Sequence, residues 1–154
     1  VQHEADRHDL APKALTCDGL LRADTQAMRL RFVDGRPVSA VTTQFLAWLT
    51  ACLAHEHTQA LLLVWDNASW HISREVRTWI KTHNQQVKRA GGCRLVVCQL
   101  PTKSPWLNRI EPKWVRGKRA IAEPARKLTV EETQQRICAY YYCELVAPLA
   151  QKTA

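Results

Sequence analysis

The 154 residues, 46% of them apolar, suffice to bury the core of one domain, and no run approaches the ~18 apolar residues of a membrane span. Twenty-two basic against 14 acidic side chains leave a net charge of +8, which favours an anionic partner, most simply nucleic acid. The N-terminus carries no signal-peptide pattern, so the expected setting is the cytoplasm, without a membrane partner.

Residues 1–12, VQHEADRHDLAP, are polar and aperiodic, and read as a flexible lead-in. Their His3, Glu4, Asp6, His8 and Asp9 imitate a metal cluster, but a solvated tail is the reading taken. The opening Val hints at a fragment or an unusual start. The domain is expected over residues 13–147, with a frayed tail over 148–154. Residues 13–22 read as a strand. Residues 27–34 alternate apolar Met28, Leu30 and Phe32 with Arg29 and Arg31, the pattern of a half-buried strand. A hairpin loop joins them, and Asp34-Gly35-Arg36-Pro37 turns the chain.

Residues 39–57 carry a helical stripe of Val41, Phe45, Trp48, Leu49, Cys52 and Leu53, with Ser39 as the expected N-cap. His55 and His57 close it, where they offset the helix dipole. The run LLLVW then fits a strand buried on both faces, ending at Asp66. The carboxyl edge of such a strand is where ligands gather in open α/β sheets. Asp66-Asn67 reads equally as a turn, because both side chains bond local backbone. Residues 73–89 form a second helix, capped by Ser73, with Val76, Trp79, Ile80 and His83 on one face. Arg74, Arg77, Lys81, Lys88 and Arg89 make a charged outer face, ordinarily just a solvated one. Gly91-Gly92 stops the helix. A short strand over 93–100 and a proline-fixed loop over 101–107 follow. A third helix is expected from Asn108 to about Ile121, and a fourth from a cap at Thr129 or a neighbour to about Cys143, with Ile137, Tyr140 and Tyr141 as apolar positions. The six cysteines form no Cys-x-x-Cys pair and read as buried, reduced thiols.

Two stretches, DNASWH at 66–71 and SPWLNRIEPKW at 104–114, resemble the catalytic domain of DDE transposases of the insertion-sequence and mariner-like branch. The segment RFVDGRPVSAVTTQFLAWL fits the same branch. The resemblance implies a ribonuclease H-like α/β fold, a mixed sheet flanked by helices. It makes Asp66 the second catalytic acid and Glu111 the third, both ligands of Mg2+, with Mn2+ as a substitute. Its partner is DNA, as transposon ends and target; a homodimer is an open expectation. The 44 positions of residues 67–110 hold the helix, turn and strand that would return Glu111 to Asp66. Lys103, Lys113, Arg116, Lys118 and Arg119 surround the presumed site as phosphate contacts. Asn67, His71, Asn108 and Trp114 support it. Trp70, Trp106 and Trp114 either stack on a base or pack in the protein.

Two features depart from the family pattern. One strand too few precedes the first helix; the missing strand is central in the family fold and carries the first Asp. ALTCDGLL matches the second strand instead, so Asp18 is either coincidental or a substitute for the absent acid. Arg109 stands where most relatives have Pro, which would preset the first helical turn. Taken alone, Asn108 and Glu111 also fit a capping box. The expected function is therefore that of a DDE transposase domain, cleaving and joining transposon-end DNA with a metal, in a partial copy that is inactive alone. The alternative is a non-catalytic nucleic-acid-binding domain left from a decayed transposase. A different ribonuclease H-like nuclease explains SPWLNRIEPKW less well.

Overall fold

The computed structural model describes residues 15–150; the expected lead-in over residues 1–12, its acid and histidine cluster included, lies outside them. The described chain runs β1 (Thr16–Leu21), β2 (Met28–Asp34), α1 (Ser39–His55), β3 (Ala60–Trp65), α2 (Arg74–Ala90), β4 (Arg94–Gln99), α3 (Glu111–Ile121), α4 (Val130–Tyr141) and β5 (Leu149–Ala150). It is the expected mixed α/β arrangement, strands flanked by four helices.

The alternation in β2 decides which face meets which helices. Leu30 and Phe32 are buried with Cys138 of α4, and Trp114 and Tyr141 pack onto them. Arg31, on the opposite face, lays its guanidinium 5.1 Å from the ring centre of Trp48 on α1. β1 pairs antiparallel with β2, Cys17 opposite Phe32 and Asp18 opposite Arg31. α1 buries Val41, Phe45, Leu49 and Leu53 at helical spacing against Val33 and Leu149. Ser39 does not cap it: Val38 is the N-cap, in extended backbone with no side-chain bond, and Ser39 is already the first helical residue. The tail is not wholly frayed either. Leu149–Ala150 pairs parallel with Val33 and Asp34, and Leu149 is buried. A short apolar pair can close a sheet edge when its one large side chain reaches the core.

The described strands form two sheets, β1-β2-β5 and β3-β4. β3 and β4 are parallel, Leu63 beside Val97. Leu63, Trp65 and Leu95 form a core with Leu46 and Val76 under α1 and α2. The expectation that β3 is buried on both faces is wrong. Leu62 is 64% and Val64 49% exposed, because the helices cover one face only. Leu20 of β1 and Leu61 of β3 both pack against the two cores under α1, so the two sheets share that helix without sharing a ladder. The thiols are free, as expected, but Cys98 is exposed rather than buried.

Two caps follow the sequence. Ser73 Oγ accepts a bond from the Val76 amide at 3.2 Å, and Gly91, at φ 80°, ends α2. Thr129 opens α4 with a full capping box, its hydroxyl accepting from Glu132 N and the Glu132 carboxylate from Thr129 N. The Arg126 guanidinium first, and the Thr129 amide second, hold the Glu132 carboxyl down at about 2. That pKa lies below the ordinary glutamate value, so the contribution is present above pH ~4.5 and lost as pH falls through about 2. Thr129→Ala should cost ~1 kcal/mol of stability. Urea denaturation near neutral pH, where an unchanged midpoint would contradict the cap, checks it.

Candidate active site

Asp66 is the first residue after β3, where the ladder ends. Its Oδ1 lies 2.8 Å from Nδ1 of His71 and accepts the Ala68 amide at 3.0 Å. The turn reading of Asp66 is therefore correct for one oxygen. Oδ2 has no hydrogen-bond partner among the described residues, so one carboxylate oxygen is held in place by local backbone and the other is free for a ligand. The His71 ring stacks on Trp65 with centroids 4.9 Å apart and planes 2° from parallel. That stacking fixes the imidazole which in turn orients Asp66. Asn67 donates from Nδ2 to the carbonyl of Leu100 at 2.6 Å, and the Leu100 amide bonds Trp65 O at 2.9 Å. These two bonds tie the loop after β3 to the loop after β4.

The second loop brings Glu111 back. Pro105–Leu107 makes one 3-10 turn, and α3 begins at Glu111 with Pro112 behind it. Asn108 is thus not the N-cap, and Glu111 is the first helical residue rather than the third. The capping-box reading of this pair fails on register: Ile110 precedes the helix in helical backbone and makes no side-chain cap bond. Proline at the second helical position sets the start, since its missing N–H is one the first turn leaves unpaired anyway. Glu111 is exposed, with no hydrogen bond or ion pair from its carboxylate among the described residues. It has no structural task that would explain it.

Asp66, Asn67, Lys103, Asn108 and Glu111 line one groove of about 440 Å³, closed on one side by residues 100–105. The fold therefore brings together both predicted acids, two of the supporting residues and one predicted phosphate contact. His71 stands behind Asp66. Lys103 is exposed at the groove in left-handed backbone, φ 58°. Lys118, seven positions after Glu111, lies on the same face of α3, whereas Lys113 and Arg116 point elsewhere around the helix. Lys118, Arg116 and Arg119 are exposed. Trp114 is not at the groove. It packs edge-on to Tyr141 and against Gly19, and Tyr141 Oη donates to the Lys113 carbonyl at 2.6 Å. Trp106 is 75% exposed and follows the groove residue Pro105 in the chain.

Asp18 sits on β1 opposite Arg31, yet the pair does not close. Arg31 donates instead to the Ala147 carbonyl and covers Trp48. Burial pushes the Asp18 carboxyl up, and nearby His71 pulls it part of the way back. Among the described residues no three or more His, Cys, Asp or Glu side chains converge to hold a metal. The groove offers two carboxylates. That hard-oxygen set fits a divalent ion such as Mg2+, which keeps several waters and takes one or two protein carboxylates beside substrate phosphates.

A family profile described as DDE superfamily endonuclease matches residues 29–134, more than half of the chain. The chain belongs to this family. The match includes both groove acids and excludes β1. No curated protein and no solved structure matches the chain. The domain is thus a DDE-type, transposase-like nuclease domain, whose family acts on DNA with divalent metal ions. Among the described residues no helix is long and apolar enough to cross a membrane.

Proposed function

We propose that this DDE domain serves DNA transposition in an element of the insertion-sequence branch, that it uses Mg2+, and that the described residues supply only two of the three acids the reaction needs. The observation that carries the reading is the shared groove of Asp66 and Glu111, two carboxylates from separate elements. When bound, the divalent ion supplies charge stabilisation at a phosphodiester and a more acidic water. The protein's part is positional. Ala68 and His71 hold Oδ1 of Asp66, which leaves Oδ2 for a ligand. Asn67 clamps the two loops so that α3 presents Glu111 opposite. Lys103 draws in phosphate.

The first acid is expected on a strand between β1 and β3, the place the family fold gives its first strand. The split between the two sheets supports this. Purified chain incubated with supercoiled plasmid and Mg2+ should therefore leave the DNA uncut over a range where DDE nucleases nick it. Metal-dependent nicking that disappears in Asp66→Ala would refute the incomplete-site part of the proposal.

One observation favours the alternative of a binding domain: among the described residues only two acids line the groove. In that case DNA affinity is the same with chelator present and in Asp66→Ala. In the preferred reading both treatments change the affinity, because a divalent ion held by Asp66 and Glu111 would add attraction for phosphate.

A further inference from the structure

We infer that the outer face of α2 is a track for the phosphate backbone of duplex DNA, leading away from the acidic groove. The inference rests on the DNA-processing reading above and adds a surface to it. Arg74, Arg77, Lys81 and Lys88 are separated by three, four and seven residues. At 100° per residue they fall within ~60° of one another, along about 21 Å of helix. All four are exposed.

The ridge is four aligned cations with no acid on the same face of the helix. Four arginines elsewhere are engaged: Arg22 and Arg29 pair with Glu56, Arg126 with Glu132, and Arg136 with Glu123. None of the four ridge cations takes part in an ion pair among the described residues. Mutual repulsion along one stripe is left uncompensated by any acid on the same face; Glu75, the one acid of the helix, points aside. A polyanion of regular spacing is the partner that relieves it.

The ridge is also continuous with the site. Arg77 lines a cavity of about 320 Å³ together with Trp65, His71 and Gln99. His71 is the residue that holds Asp66. The positive end of the α2 dipole lies at the same end of the helix as Arg74 and Arg77. A strand whose phosphate sits at Asp66 and Glu111 would therefore meet Arg77 and Arg74 first, then Lys81 and Lys88.

The test compares two double variants of the full chain, each removing two charges: Arg77→Gln/Lys81→Gln on the ridge, and Arg36→Gln/Arg94→Gln off it. Fluorescence anisotropy with a short labelled duplex is read as a function of salt, and thermal melts confirm that both variants fold. The ridge variant should lower affinity at least tenfold and reduce the salt slope by about 1.8. The control variant should keep the wild-type slope. Equal loss in both variants means that net charge alone is read, and overturns the track. Unchanged binding in the ridge variant overturns the track while leaving the DNA-processing reading intact. A wild-type chain that binds no duplex, or binds phosphatidylserine vesicles instead, overturns both.

Discussion

Asp66→Asn is expected to weaken Mn2+ binding about a hundredfold, measured as the free-ion signal in an electron paramagnetic resonance titration. The figure follows from ordinary metal sites, where losing a partner that merely orients a ligand already costs ~10–100-fold. Asparagine is the informative substitution. Its Oδ1 still accepts the Ala68 amide, so the turn survives while the charge goes. Glu111→Gln should have a similar effect without lowering the melting temperature, since that carboxylate has no described partner. If both acids hold the same ion, the double variant should be little worse than either single one. His71→Ala should cost nearer tenfold, because it loosens Asp66 without removing a donor. Unaltered Mn2+ affinity in both Asp66→Asn and Glu111→Gln would remove the groove from consideration as a metal site.

The site was legible in the sequence where chemistry interrupts a pattern. A run of five apolar residues ending in Asp66 announces a strand end with a carboxylate on it. Pro101 and Pro105 announce a rigid loop ahead of the helix that carries Glu111. Ser73 and Thr129 were legible as caps because their hydroxyls precede amphipathic runs. Ser39 looked the same and is not a cap, since Val38 already has the extended backbone and the hydroxyl finds no amide. Register was the weak link at Glu111. A one-dimensional reading offers Asn108 as a cap, and nothing in composition shows that a 3-10 turn uses up residues 105–107 first.

Burial was harder to read than secondary structure. LLLVW is equally apolar whether one face or both are covered, so exposed Leu62 and Val64 could not be foreseen from it. The strand at Leu149–Ala150 is too short to carry a period. The α2 cations are periodic in the sequence, but their lack of ion pairs is a property of space. Asp18 shows the same limit. Its cross-strand neighbour was predictable, whereas the diversion of Arg31 to Ala147 and Trp48 was not.

Trp114 gives the second large effect, and it concerns packing rather than chemistry. A Cβ on Gly19 would lie 2.5 Å from the Trp114 ring, closer than real side chains come. Gly19→Ala should therefore cost ~2 kcal/mol, as overpacking of a filled core does. Trp114→Ala should cost about 3 kcal/mol, since the ring packs against the core of Leu30, Phe32 and Cys138 and would leave a cavity. The decisive variant combines Gly19→Ala with Trp114→Leu. Leucine takes the ring edge away from the new methyl group, so adding Gly19→Ala to a Trp114→Leu background should cost much less than adding it to wild type. Urea midpoints of the four proteins measure this coupling. Additive costs would mean that β1 yields to the methyl group without involving α3, and the contact would lose its meaning. Coupling would instead fix α3 on β1 through one close contact of glycine and indole. The same helix carries Glu111 at its first residue. Its packing on β1 would then set how far Glu111 stands from Asp66.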